Sequence, residues 1–327
     1  MLKLKYLFDN RDLAEMLLKN WDYEDIGMFK HYRVSSNAIY PFKRDGTTHF
    51  LRFAPREEKL KPNLQAELEF IAYLRGKGYG VLEAVPSKAG EKLVEMETPW
   101  GVYVASVFKR VPGVQLDRTD FPDDVMFCYG KALGKLHRLS SEYMPGEVKR
   151  WSYADVLDWI QDVLTAFPGE TAALEETELL RGYFASLPKS QADYGLIHYD
   201  FEYDNVFYDG ETQTCHAIDF DDAMYHWYVL DIAQALESLR EEVPQEDFDQ
   251  KRQRFMDGYR TEYAISGDAE NIVTACKRFA NLYGYARVLR VAAEQWENEP
   301  DWLTGLRGRL AEGLEEDSVL FGKALKV

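Results

Sequence analysis

Between Ile197 and Ala223 the chain reads IHYDFEYDNVFYDGETQTCHAIDFDDA, with carboxylates at 200, 202, 204, 209, 211, 219, 221 and 222 set among short apolar runs. Withdrawing an ionised carboxylate from water costs on the order of several kcal/mol unless it is paired, so a chain that builds core here must partner some of these charges and leave the others in solvent. The local pattern separates the two groups. Residues 195–197 (GLI) and 206–208 (VFY) are strand-like, Asp209–Gly210 is a hairpin turn signal, and residues 215–218 (CHAI) form a strand leading into Asp219. His198, Asp200 and, after four intervening residues, Asn205 then lie on a loop, and Asp219 sits at a strand end fourteen residues later. So folded, Asp200, Asn205 and Asp219 converge, while Glu202, Asp204 and Glu211 stay solvated.

Convergent carboxylate and amide oxygens suit Mg²⁺, which takes a few such donors together with waters and substrate phosphates. Phosphoryl transfer needs that metal to offset charge and a carboxylate to orient or deprotonate the acceptor hydroxyl. A His, an Asp and an Asn in one loop are also ordinary turn formers, so the spacing by itself is a modest signal. Asp221 and Asp222 are open between support of the site and a solvated turn. An EF-hand reading of Asp219, Asp221 and Asp222 fails for lack of the required glycine and distal glutamate. His137 and His216 are expected to satisfy local hydrogen bonds, and Cys215 to be a strand residue.

Elsewhere the periodicities divide the chain in two. Arg11 to Trp21 reads as an amphipathic helix. Residues 38–40 and 49–53 flank the turn signal Arg44–Asp45–Gly46, and residues 92–96 and 102–107 flank Pro99–Trp100–Gly101, giving two hairpins. A helix opens at Pro62–Asn63, with Leu64, Leu68, Ile71 and Leu74 in one stripe; at about 100° per residue Glu67 lies about 40° from Ile71 and points to the core, whereas Glu69 lies on the far side. After Pro112–Gly113 the composition turns helical. Val125, Tyr129, Ala132, Leu136 and Leu139 make a stripe in which Gly130 and Gly134 permit a close backbone approach. Further helices are expected at 153–167, 172–187, 231–242, 246–263 and in two segments within 269–313. Residues 1–109 are thus expected to form one lobe and 110–327 a larger helical one.

The loop and strand-end residues resemble the catalytic region of the aminoglycoside phosphotransferase and choline kinase-like family, a branch of the protein-kinase-like fold. Three further segments are similar to that family: residues 35–40 (SSNAIY) to its nucleotide-covering hairpin, Arg52 and Glu67 to its cation and helical glutamate, and residues 130–137 (GKALGKLH) to its Gly-xx-Leu-Gly-x-Leu-His helix. The resemblance covers roughly residues 30 to 240. It implies an α+β, bilobal protein-kinase-like fold, with a small antiparallel-sheet lobe bearing one key helix and a mostly helical lobe holding the catalytic loop and substrate site. It also implies ATP and Mg²⁺, with Asp200 as catalytic base, Asn205 and Asp219 as metal ligands, Ser36, Asn37, Arg52, Glu67 and Phe108 at the nucleotide, His198 supporting the loop, and Asp231 capping the next helix and bracing that loop. Two departures stand out: no GxGxxG is present, and the phosphate-side cation is Arg52 rather than Lys.

The expected function is therefore ATP-dependent phosphorylation of a small-molecule hydroxyl. Acidic, aromatic helices at 153–159 and 283–302 suit a cationic amine or amino sugar, or are simply acidic surface over an aromatic core. A stress-response type protein kinase is the enzyme alternative, disfavoured by the short segment after Asp219, which has no Ala-Pro-Glu and no Ser or Thr before Ser238. A catalytically inactive nucleotide-binding scaffold is the third reading. The net charge of −17 excludes a broad nucleic-acid footprint. No apolar run reaches the roughly 18 residues of a membrane helix, and three dispersed cysteines with no signal-peptide core imply the cytoplasm.

Overall fold

A computed structural model describes residues 2–265, 271–295, 297 and 299–325. Helix α1 (Arg11–Leu18), N-capped by the Asn10 side chain accepting from the Leu13 amide, covers one face of an antiparallel sheet. That sheet runs β1 (Arg33–Val34), β2 (Ala38–Arg44), β3 (Thr47–Pro55), then β6 (Gly101–Lys109) and β4 (Glu83–Val85), with β5 (Val94–Thr98) also paired to β6. The β2–β3 hairpin turns at Asp45 and Gly46, both with positive φ, as its turn signal requires. Alternate residues pack under α1: Tyr40, Phe42, Leu51, Phe53, Ala105 and Val107 form one apolar cluster with Leu13, Leu17 and Trp21. The residues between them in register, Arg52 opposite Ser106 and Phe50 opposite Phe108, therefore lie on the other face, towards the helices.

Helix α2 (Lys61–Gly76) follows β3 and buries Leu64, Leu68, Ile71 and Leu74, with Glu67 only 1% exposed. A short β7 (Val114–Gln115) begins the helical part, followed by α3 (Asp123–Ser141), α4 (Tyr153–Thr165) and α5 (Thr171–Ser186). Strands β8 (Tyr194–Ile197), β9 (Val206–Asp209), β10 (Thr214–Ala217) and β11 (Met224–Trp227) come next, then α6 (Val229–Glu242), α7 (Phe248–Arg260), α8 (Val273–Ala292) and α9 (Trp302–Ser318). The expected start near Ala269 lies outside the described residues. The 209–210 hairpin forms as expected between β9 and β10, and β8 pairs with β11, so the segment beyond Asp219 returns at once to the strand that enters the loop.

Gly130 and Gly134 do what their spacing suggested. A Cβ on Gly130 would lie 1.8 Å from the Phe255 carbonyl oxygen, and one on Gly134 2.4 Å from that of Tyr259, so α3 and α7 touch backbone to backbone. Gly258 on α7 faces the Phe127 carbonyl at 1.9 Å by the same measure. Gly130→Ala should therefore destabilise the fold by about 1–3 kcal/mol or more, against the roughly 1 kcal/mol that Ala gains over Gly in an unobstructed helix. Thermal unfolding checks this, and an unchanged or raised Tm would refute the close contact.

Candidate active site

The loop after β8 is held by Asp231. This carboxylate, fully buried, accepts hydrogen bonds from the His198 amide at 2.8 Å, the Tyr199 amide at 2.7 Å and His137 Nε2 at 3.1 Å. It lies in the first turn of α6, where its side chain caps nothing, so the helix-capping role expected from the sequence is corrected, while the bracing role stands. The loop needs bracing because Tyr199 has φ +73°, a left-handed conformation that costs a bulky side chain free energy. His137 completes its bonding by accepting from the Tyr259 hydroxyl at 2.8 Å. Burial lowers its pKa, which keeps the ring neutral with one donor and one acceptor nitrogen.

His198 joins the two halves of the site. Its Nδ1 accepts from the Asp200 amide at 3.2 Å and its Nε2 donates to the Ile218 carbonyl at 2.8 Å, and burial holds its pKa below the ordinary value. Beside it, the Ile218 amide donates to the Asn205 carbonyl at 2.9 Å. Asn205 closes the 3₁₀ turn Tyr203–Asn205, and its Nδ2 donates both to Asp200 Oδ2 at 2.9 Å and to the Asp200 carbonyl at 3.0 Å. Both amide hydrogens point at Asp200. Among the described residues no donor then reaches Asn205 Oδ1 or the half-buried Asp219 carboxylate, which leaves hard oxygens of the kind a divalent cation takes. Asp219 itself has φ +61°, so its side chain is aimed by a conformation that the flanking bonds enforce. No group of three or more His, Cys, Asp or Glu side chains is placed to hold a metal among the described residues, so any metal here must also draw on amide or substrate oxygens.

Across the cleft, Arg52 and Glu67 form a buried bidentate pair at 2.7 and 2.8 Å, with the guanidinium 4.8 Å from the centre of the Phe108 ring. Glu69, on the opposite side of α2, instead accepts from the Tyr143 hydroxyl and the Gly146 amide. Asn37 is buried at the entry to β2, and the Ser36 hydroxyl accepts from Arg287 Nη2 at 3.3 Å. Asp221 pairs with Lys59, and its carbonyl accepts from Arg150; Asp222 pairs with Arg287 at 2.7 Å; Glu58 takes Arg290 at 2.8 Å. Asp221 and Asp222 are thus neither solvated nor at the metal-type oxygens: they fasten the turn after Asp219 to the loop after β3 and to α8.

These pairs border a cavity of about 300 Å³ between α4, α8 and that turn, with Trp151, Trp159 and Tyr283 as aromatic walls. Trp159 and Tyr283 meet edge to face at 5.7 Å, and Tyr283 in turn touches Tyr199, next to Asp200. The sequence pointed to Trp159 and Tyr283 but missed Lys59, Arg150, Arg287 and Arg290. Two arginines three residues apart in the otherwise apolar stretch 285–291 (YARVLRV) were the signal available.

A small antiparallel sheet carrying a buried Arg–Glu pair, set against a helical body that presents His198, Asp200, Asn205 and Asp219, is the bilobal protein-kinase-like fold. The chain matches the model of the phosphotransferase enzyme family over residues 34–265 and belongs to that family; it is a phosphotransferase. Over 292 residues it is 24% identical to the amicoumacin kinase of Bacillus subtilis (strain 168), covering 85% of each chain. A solved amicoumacin kinase in complex with AMP-PNP and Ca²⁺ superposes with a TM-score of 0.76 at 19% identity, covering 96% of this chain and 95% of that one. A microcompartment-associated aminopropanol kinase gives 0.66 at 20% identity, covering 95% and 99%. Among the described residues no helix is long and apolar enough to cross a membrane.

The electrostatics make a testable signature. Burial, helped by Glu202, Asp222 and Asp219, pushes Asp200 up to about 8, and burial with neighbouring Asp221 pushes Asp219 up to about 6 against the pull of Arg52. Burial also penalises Asp221 and Asp222, yet Lys59 and Arg287 outweigh it and hold both below the usual carboxylate range. Because the folded pKa of Asp200 lies above the unfolded value of about 3.9, the folded state binds the proton more tightly, and stability falls as pH rises from about 4 to about 8. In chelator, the Tm of the wild type should therefore drop relative to Asp200→Asn between pH 5 and pH 8. Parallel pH curves would remove the elevated pKa.

Proposed function

We propose that this protein is an ATP- and Mg²⁺-dependent kinase that phosphorylates a hydroxyl of a small molecule, with ATP held between residues 1–109 and 110–327. The observation that carries this reading is the pairing of Asp200 with Asn205, which spends both Asn205 amide hydrogens and leaves its oxygen, like the carboxylate of Asp219, with no protein donor among the described residues. Asn205 Oδ1 and Asp219 would hold Mg²⁺, which when bound offsets charge on the phosphates and on the transferring group. Asn205 also fixes Asp200 Oδ2, leaving Oδ1 with no protein donor among the described residues and able to accept the proton of the acceptor hydroxyl. Arg52, held in plane by Glu67, offers a cation to the nucleotide phosphates, Phe108 and the sheet face line the base, and Ser36 and Asn37 belong to the covering loop.

The acceptor would occupy the cavity walled by Trp151, Trp159 and Tyr283. Those faces suit a cationic amine, whereas Glu58, Asp221 and Asp222 are each already paired with a cation of the protein, so charge alone does not select the acceptor. The relatives' names support a small-molecule acceptor. The β8–β11 pairing supports it too, because the chain after Asp219 turns straight back into a strand and has no extended platform for a protein substrate. A cytoplasmic location fits a kinase that draws on cellular ATP.

Labelled ATP with a panel of aminoglycosides, choline, aminopropanol, homoserine, sugars and a generic protein substrate tests the reading. Transfer only to the protein substrate would overturn it. With an acceptor in hand, Asp200→Asn should lower kcat by at least about 100-fold, the usual range for loss of a general base; undiminished turnover would remove Asp200 from the mechanism. Mg²⁺ and ATP added together should raise the Tm more than either alone, and a melting curve indifferent to the pair would count against a catalytic nucleotide site.

A further inference from the structure

A second concavity, of about 470 Å³, shares no lining residue with the cleft beside Asp219. It is bounded by Arg75 and Gly78–Gly80 beyond α2, by Cys128, Lys131 and Lys135 of α3, and by the β9–β10 hairpin up to His216. Through Arg75, Tyr79, Gly80 and His216 it continues into a cavity of about 210 Å³ that adds Lys109 and Arg110. Together they gather five cations, Arg75, Lys109, Arg110, Lys131 and Lys135, against two carboxylates, Glu83 and Glu262. That is 5 − 2 = +3 on one groove of a chain whose net charge is −17.

The cations are also unusually unneutralised. Glu262 is engaged by Arg138 at 3.2 Å and Glu83 by Arg75 at 2.9 Å. Lys135 donates to the Gly78 carbonyl at 2.7 Å, which holds its ammonium over the groove without cancelling its charge. The ammonium groups of Lys109 and Lys131 pair with no carboxylate among the described residues. The floor is backbone: Gly80 docks on β10 so closely that a Cβ would lie 2.5 Å from the Cys215 carbonyl, and the Ala217 amide donates to the Gly80 carbonyl at 3.0 Å. Like charges brought in from α2, β6, the following link and α3 repel one another, and an anion placed among them removes that repulsion. A concave setting concentrates the field, and the enclosed volume falls within the roughly 300–1,000 Å³ of small-molecule sites.

We propose that this groove binds a small anion carrying two or more phosphate groups, at a site separate from the catalytic cleft and independent of the acceptor. Lysines suit phosphate as point charges, and Arg75 and Arg110 add planar donors. The groove touches both 75–83, which links α2 to β4, and 109–112, where the chain passes from the six-stranded sheet to the helical body. An anion joining Arg75 to Lys131 and Lys135 fastens the end of α2, the helix of Glu67, to α3.

The test titrates tripolyphosphate calorimetrically into the full chain already saturated with AMP-PNP and Mg²⁺, so that the nucleotide cleft is filled. Expected is one site per chain, weakened at least about tenfold by the double variant Lys109→Gln/Lys131→Gln and by added salt. Both side chains are exposed, so Tm and AMP-PNP affinity should stay unchanged in the variant. No binding in the presence of AMP-PNP, or equal binding by the variant, would overturn the site. A triglutamate peptide binding as tightly as tripolyphosphate would overturn the phosphate assignment.

Discussion

The site depends first on one buried carboxylate. Asp231 sits on α6, yet its three hydrogen bonds reach the amides of His198 and Tyr199 and the ring of His137 on α3. Satisfying two consecutive amides is what lets Tyr199 remain at positive φ, and that turn is what delivers Asp200 and, through His198, the segment before Asp219. Remove the brace and the strained Tyr199 loses the bond that over-determines it. The charged group that matters most for geometry thus touches none of the residues assigned to chemistry.

A division of labour among the acidic residues follows. Asp200 and Asp219 are disfavoured as anions by burial and by neighbouring carboxylates, whereas Asp221 and Asp222 are favoured by Lys59 and Arg287. Within four residues, 219 to 222, the chain holds carboxylates pushed in opposite directions, which is possible only because cations arrive from the loop after β3 and from α8. Charge at the site is set by elements far apart in sequence.

That is also where the sequence became illegible. The helices from α1 to α7 announced themselves by period, to within a few residues, and the hairpins by Asp45–Gly46 and Asp209–Gly210, because these signals are local. Glu67 could be aimed at the core from its angle to Ile71, and the glycines of α3 gave away a close helix contact. By contrast, nothing near Asp231 reveals that its partners lie 33 and 94 residues away, nothing near Asp222 reveals Arg287, and nothing in the 195–197 strand reveals that β11 is its partner. Side-chain pairs across long separations leave no period to read.

The clasp of Ser36, Glu58 and Lys59 onto Arg287, Arg290 and Asp221 bears on how the chain is made as well as on what it does. Ser36 meets Arg287 at a sequence separation of 251, and Glu58 meets Arg290 at one of 232. Loop closure over such spans is paid late, after local helices and hairpins have formed. On the ribosome, the sheet and the loops at Ser36 and Glu58 emerge long before α8 exists to fasten them, so they stay unfastened until α8 is made. A chain truncated before α8 would retain the strands while losing the fastening that joins the loops at Ser36 and Glu58 to the turn after Asp219.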